Sequence, residues 1–150
     1  MTKIAINGFG RIGRLFFRQM WGKKGFDIVA INDLGDLENL EYLLKYDTVY
    51  GRFDGGLKGV QVLQEPNPEK LPWGKLGVDI VVEATGAFES YEKARVHLKA
   101  GAKRVVITAP ATDKDTKDGQ TVLMVVNEQY LAACQISSNV SCTTKAAAPV

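Results

Sequence analysis

With 150 residues, 45% of them hydrophobic, the chain is long enough for one compact core and too short for two ordinary domains. Its charged residues, 24% of the total, carry both signs and leave a net charge of only +2, so no basic field marks nucleic acid or an anionic membrane as a partner. No charged-then-apolar leader opens the sequence and no apolar run approaches the thickness of a bilayer, so the expectation is a cytoplasmic protein whose partners are small molecules. The two cysteines, Cys134 and Cys142, make no disulfide framework and are expected as free thiols; no metal is expected.

The first element is a short β-prone run, Lys3 to Asn7. From Arg11 to Met20 the apolar residues Ile12, Leu15, Phe16 and Met20 recur at helical spacing, so the period changes across Gly8, Gly10 and Gly13. These three form G-x-G-x-x-G at a strand-to-helix junction. One glycine allows a tight turn, one lets backbone approach a pyrophosphate, and one lets helix pack on strand. The helix N-terminus, with its unpaired N–H groups and positive dipole end, offers an anion site that the charge of Arg11 can reinforce. Gly22 and Gly25 stop the helix, and Asp27 to Asp33 reads as a second buried strand ending in an acid. Asp33 lies about twenty residues beyond the glycines, where a carboxylate accepts from adenine ribose hydroxyls and repels a 2′-phosphate. That favours NAD over NADP. A turn or helix cap is the alternative use of Asp33.

Farther along, Asp36 caps a helix carrying Leu37, Leu40 and Leu44 on one face and ending near Tyr46 and Asp47. The glycine-rich stretch from Tyr50 to Gln64, with its β-prone piece Val60 to Leu63, predicts small antiparallel strands inserted before the main sheet resumes. Pro66, Pro68 and Pro72 mark a surface connection. Val78 to Glu83 is the near-continuous apolar run of a parallel strand covered on both faces. The small-residue turn after it, Ala84-Thr85-Gly86, lies where doubly wound sheets bind their ligands, which makes Thr85 and Gly86 candidates for the cofactor crevice. Ser90 caps a helix through Tyr91, Ala94 and Leu98 that Gly101 ends. His97, the only histidine, falls inside that helix beside Arg95 and Lys99, where a surface or packing role is expected rather than a catalytic one.

Arg104 to Thr108 is another buried strand, with Thr108 at its carboxyl end. Asp113 to Gly119 reads as a solvated loop, Thr121 to Val126 as a strand, Glu128 to Ala133 as a short helix and Gln135 to Ser138 as a last strand. The expected class is α/β: a Rossmann-like, doubly wound, mostly parallel sheet with helices on both faces and a small antiparallel insertion. Right-handed crossovers are expected to place alternate helices on opposite faces. After the last strand, Cys142 stands among small hydroxyl residues where strand gives way to helix. A helix N-terminus favours thiolate and hence a nucleophile; a buried structural cysteine is the competing use. Cys134 has no such setting.

Several segments together resemble phosphorylating glyceraldehyde-3-phosphate dehydrogenase. They are Asn7-Gly8-Phe9-Gly10-Arg11-Ile12-Gly13-Arg14, Ile31-Asn32-Asp33, Leu43-Leu44-Lys45-Tyr46-Asp47, Leu71-Pro72-Trp73, Gly77-Val78-Asp79-Ile80-Val81, Ala100-Gly101-Ala102-Lys103 and Ser141-Cys142-Thr143-Thr144. The resemblance runs nearly end to end and covers the cofactor half of that enzyme. It implies NAD-dependent oxidation of an aldehyde through a cysteine thiohemiacetal, with the thioester cleaved by inorganic phosphate. It also implies Arg11, Ile12, Asp33 and Thr108 as cofactor contacts, Ser141 and Thr143 as substrate-binding residues and Cys142 as the nucleophile.

The resemblance breaks at two places. Pro66 stands where the family has an arginine, so an adenine-side contact lacks its residue here. Lys145-Ala146-Ala147-Ala148-Pro149 stands where the family has Asn-Cys-Leu-Ala-Pro after the threonines, and a lysine in that first turn opposes the helix dipole while its charge favours a nearby thiolate. The family's catalytic histidine and substrate-phosphate ligands belong to a second domain beyond these residues. Residues 1–150 are therefore expected to be one NAD-binding domain without turnover of its own, as a monomer or weak homo-oligomer, with glyceraldehyde 3-phosphate and phosphate as partners only if a catalytic domain is supplied. The alternatives are half of a split enzyme completed by a second chain, a structural domain with a vestigial site, and a relative of erythrose-4-phosphate dehydrogenase.

Overall fold

In the computed structural model, which describes residues 1–147, the chain runs β1 (Thr2–Asn7), α1 (Arg11–Met20), β2 (Phe26–Asn32), α2 (Leu37–Lys45), β3 (Tyr46–Asp47), β4 (Gly51–Arg52), β5 (Gln61–Leu63), α3 (Trp73–Leu76), β6 (Ile80–Glu83), α4 (Tyr91–Lys99), β7 (Arg104–Ile107), β8 (Gly119–Thr121), β9 (Ile136–Ser138) and α5 (Cys142–Ala147). Among the described residues seven strands form one sheet in the order β5-β2-β1-β6-β7-β9-β8, every neighbouring pair parallel. The chain winds from β1 through β2 to β5 at one edge, and then from β6 through β7 to β8 at the other, with β9 returning to lie between β7 and β8. Winding reverses between β1 and β6, so the loops that follow those two strands diverge and leave a crevice at their carboxyl ends. This is the doubly wound α/β class expected from the sequence.

The alternation of side chains along the strands divides the core into two layers. Ile4, Ile6, Ile31 and Val82 face Phe17 of α1 and Leu40 and Leu44 of α2. Ala5, Ala30 and Val81 face the other way, and the two alanines leave room for the wholly buried Trp73 of α3. On that second face Tyr91 and Ala94 of α4 pack on Val105, Ile107 and Ile136. The helices thus divide by half of the chain, α1 and α2 on one face and α3 and α4 on the other, and do not alternate one by one. A right-handed crossover puts its helix on a face set by the direction of winding, and that direction is reversed between the part of the chain that carries α1 and α2 and the part that carries α4.

Two expected strands differ from those found. Gln61–Leu63 is a parallel edge strand, paired Ala30↔Gln61 to Asn32↔Leu63, because α2 and the hairpin after it supply the long crossover that parallel pairing needs. The antiparallel insertion is instead the hairpin of β3 and β4, Tyr46↔Arg52 and Asp47↔Gly51. The strand expected over Thr121 to Val126 ends at Thr121. Asn127 closes a turn directly after it: its Oδ1 accepts from Leu123 N at 2.7 Å, its Nδ2 donates to the Thr121 carbonyl at 3.0 Å, and its own N–H donates to the Leu123 carbonyl. Inside that turn Val125 is held at φ 75°, a left-handed conformation that strains a β-branched residue. Glu128–Ala132 is a 3-10 helix. Among the described residues no helix is long and apolar enough to cross a membrane.

The loop from Asp113 to Gly119 is more tightly held than a solvated loop. Asp113 accepts from the N–H groups of Tyr91 and Glu92, at 2.9 and 3.2 Å, at the start of α4, where Ser90 also accepts from Lys93 N. Asp115 accepts from the Tyr91 hydroxyl at 2.8 Å and from Thr121 N and Oγ1. Burial, and then the Asp115 carboxylate, push the Tyr91 hydroxyl up to about 12. A folded pKa above the ordinary value of 10 gives stability that is complete below pH 10 and lost as pH rises through 12. Alkaline unfolding followed by circular dichroism should therefore fall more steeply over that window in the natural chain than in Tyr91→Phe; parallel curves would contradict it.

Candidate functional site

At the crevice the last residues of three strands stand side by side, in register Asn32↔Asn7 and Asn7↔Glu83. Above them the glycine turn meets the loop after β6. Gly8 has φ +93°, and a Cβ on it would lie 2.6 Å from Thr85 N and 2.7 Å from the Ala84 carbonyl carbon, so the two turns are in backbone contact. A Cβ on Gly13 would lie 2.1 Å from the Gly8 carbonyl oxygen, which is how α1 packs onto the end of β1. Gly10 has no other described atom within 4 Å of that position and leaves bare backbone. The N-cap of α1 is Gly10, without a side-chain cap among the described residues, and unpaired N–H groups at such an end suit a phosphate.

The resulting cleft holds about 450 Å³, with Gly8, Gly10, Asp33 and Thr85 in its wall and Leu34, Pro66 and Phe88 as apolar sides. Asp33 Oδ2 accepts from Phe9 N at 2.6 Å and its Oδ1 from Gly35 N at 2.8 Å. The acid at the end of β2 therefore braces the glycine turn and caps its own turn. Each carboxylate oxygen has a second lone pair, so Asp33 still offers acceptors to a ribose.

The remaining candidates are dispersed. Ile12 is exposed in the first turn of α1, and Gly86 sits at φ +77° past Thr85. Thr108 directs both its N–H and its hydroxyl at the Glu83 carbonyl, each at 3.0 Å. The Arg11 guanidinium pairs with Asp47 at 3.1 and 3.2 Å, because the hairpin after α2 brings that acid to the start of α1. The N–H groups of Tyr50 and Val49, with Arg11 behind them, hold the Asp47 carboxyl below the usual range. Arg14 donates to the Phe9 carbonyl at 2.9 Å, and burial, then the neighbouring Arg11, lower its pKa.

Ser141, Cys142 and Thr143 follow β9, outside the cleft. Cys142 is the first residue of α5 and is exposed, while Ser141 Oγ accepts from Thr144 N at 3.1 Å. The strand-to-helix junction expected there is present. Ala148 and Pro149, which follow the altered residues Lys145 to Ala147, lie outside the described residues.

Sequence reasoning did not single out Asn7, Asn32 and Glu83, which are buried and hydrogen-bonded under the cleft. A signal was available, since each is a polar residue that closes an apolar run of three or four residues, Ile4 to Ile6, Ile28 to Ile31 and Ile80 to Val82. His97 is wholly buried and in contact with Glu83, beyond the packing role expected for it.

A reversal of winding at two touching turns, a glycine-bared helix N-terminus and an acid closing the second strand together define a dinucleotide-binding domain of the doubly wound class. Residues 2–91 match the family described as glyceraldehyde 3-phosphate dehydrogenase, NAD binding domain, and the chain belongs to that family. Over its whole length it is 48% identical to glyceraldehyde-3-phosphate dehydrogenase of Clostridium pasteurianum, of which it covers 47%. It is likewise 48% identical to the enzyme of that name from Thermotoga maritima, of which it covers 48%. The chain thus spans about half the length of the curated relatives it matches.

The two thiols stand in opposite settings. Cys142 is exposed, whereas Cys134 is buried and its burial pushes the thiol up, leaving less thiolate near neutral pH. Alkylation of the folded protein with iodoacetamide, read by peptide mass mapping, should modify Cys142 at least about tenfold faster. Unfolding in denaturant should bring the two rates together.

Proposed function

We propose that residues 1–150 are one NAD-binding domain, the cofactor half of a phosphorylating glyceraldehyde-3-phosphate dehydrogenase, with the cleft between the β1 and β6 loops as its dinucleotide site. The observation that carries this is the cleft wall, where Asp33 and the bare backbone of Gly10 stand on either side of the Gly8 turn. In this reading the uncapped N-terminus of α1, including the Arg11, Ile12 and Gly13 backbone, receives the pyrophosphate. Asp33 receives the adenine ribose, and Leu34, Pro66 and Phe88 flank a flat adenine ring. With Pro66 in place of a cation, that flank is apolar. Thr85 lines the wall on the β6 side with Gly86 next to it in the chain, and Thr108 lies farther along the row of strand ends. NAD, when bound, supplies the acceptor for the aldehyde's hydride.

Cys142 is the nucleophile in this reading, exposed at the start of α5, with the Ser141 and Thr143 hydroxyls beside it at 2.9 Å from each other. Attack on an aldehyde carbonyl also needs a group that moves a proton to or from the carbonyl oxygen. His97, the single histidine, cannot serve, because it is 0% exposed and both ring nitrogens are engaged. The resemblance to the family implies that the acid–base partner and the substrate-phosphate ligands come from outside these residues.

Calorimetry with NAD and NADP tests the cofactor assignment. A micromolar to millimolar dissociation constant is expected for NAD, with NADP disfavoured by ~1–3 kcal/mol through the charge of Asp33. Asp33→Asn keeps the shape and should narrow that gap; equal affinity of the natural chain for both dinucleotides would sink the assignment. With glyceraldehyde 3-phosphate, phosphate and NAD, the chain alone should form no NADH above background, since general acid–base help is worth about 10²–10⁴-fold and orientation by phosphate ligands more still. Turnover that is abolished by Cys142→Ala would show instead that these residues suffice.

A further inference from the structure

A continuous line of hydrogen bonds crosses the protein beneath the cleft. Trp73 Nε1 donates to His97 Nδ1 at 3.1 Å. An indole N–H can only donate, so His97 Nδ1 is an acceptor and the ring proton sits on Nε2, which donates to Glu83 Oε2 at 2.8 Å. The same Oε2 accepts from Asn7 Nδ2 at 2.7 Å, and Oε1 accepts from Thr85 N at 2.8 Å and from the Thr85 hydroxyl. A carboxylate that only accepts forces Asn7 to present its NH₂ group to Glu83 and its carbonyl oxygen to Asn32 Nδ2, at 2.8 Å. Asn32 then keeps its own carbonyl oxygen for Glu65 N, at 2.9 Å. Trp73, His97 and Glu83 are at most 2% exposed, and among the described residues no buried side-chain polar atom lacks a partner.

Asn7, Asn32, Glu65 and Thr85 all line the cleft, while Glu83 and His97 lie behind it. From this geometry we infer that His97 and Glu83 are positioning residues for dinucleotide binding. His97 fixes the Glu83 carboxylate, and the carboxylate sets both the place of the Thr85 backbone and the direction in which the Asn7 and Asn32 amides point. The inference rests on the dinucleotide reading of the cleft and adds to it two residues that touch no ligand. Loss of the His97 donor leaves one Glu83 oxygen short of a partner and the Trp73 N–H unpaired, and a network that shares one acceptor loosens as a unit.

The test compares NAD affinity and melting temperature in three variants. His97→Leu removes both hydrogen bonds, and NAD affinity should fall about tenfold or more. His97→Gln restores a donor for Glu83 and an acceptor for Trp73, and should recover most of the loss. Val105→Ala, a buried apolar truncation on the same face, should lower the melting temperature with NAD affinity kept within about twofold. Unchanged affinity in His97→Leu, or a loss in Val105→Ala that tracks stability to the same degree, would overturn the positioning role. Should the leucine variant not fold, Glu83→Gln decides: its amide sets one donor against a buried donor whichever way it turns, so affinity should again fall about tenfold, and unchanged affinity overturns the role. If the natural chain binds no NAD, the dinucleotide reading fails separately. Hydrogen exchange at the Thr85 amide, measured without ligand, still judges the positioning: faster exchange in His97→Leu than in Val105→Ala supports it, and equal exchange overturns it.

Discussion

Backbone contact between Gly8 and the Ala84–Thr85 peptide is the constraint on which the rest of the crevice depends. No side chain fits at Gly8, since its first carbon would sit 2.6 Å from Thr85 N. The contact is reached because β1 and β6 are neighbours whose ladder continues past the last strand residue: Ala84 N donates to the Asn7 carbonyl at 2.7 Å, and Gly8 N to the Asn32 carbonyl at 2.8 Å. The two turns leave the sheet from adjacent strands, touch once and diverge. Asp33 braces the glycine turn from the β2 side through Phe9 N, so the cleft wall is set by main-chain groups held from both sides.

That arrangement gives the cleft little cationic charge of its own. Arg11 is turned aside to Asp47, and Arg14 to the Phe9 carbonyl. In the proposed dinucleotide site, attraction for a pyrophosphate would rest on oriented N–H groups at the start of α1, which act at short range and favour close fit over long-range steering. Arg11 meanwhile ties the first turn of that helix to the hairpin of β3 and β4. Arg18 of the same helix holds that hairpin too, donating to the Gly51 carbonyl at 3.0 Å.

Much of the fold was legible from local pattern. The change of period across Gly8 to Gly13, the apolar runs of β1, β2 and β6, and the caps at Asp36 and Ser90 all rest on residues close together in sequence, and each element appears within a few residues of its expected place. The readings that failed depended on distant partners. Val60 to Leu63 looks the same whether it pairs parallel or antiparallel, and only the path of the crossover decides. Thr121 to Val126 is β-prone throughout, but Asn127 turns the backbone back on it. Helices placed by halves of the chain, rather than alternately, follow from a reversal of winding between β5 and β6 that no short window contains.

For the site the division is similar. The sequence by itself determined the glycine turn, the acid that closes β2, the small-residue turn after β6 and a cysteine at a strand-to-helix junction, because each is a local pattern with a steric or electrostatic reason. Tertiary structure alone decided what those residues do to one another. It sent Arg11 to Asp47, 36 residues away, and put Asp33 against Phe9 N, 24 residues away. It also buried His97 against Glu83, although the residues around that histidine on α4 are charged and read as a solvated face. Hydrogen bonds between strand ends form at separations that sequence spacing does not encode, and only the register of the sheet brings Asn7, Asn32 and Glu83 into one row.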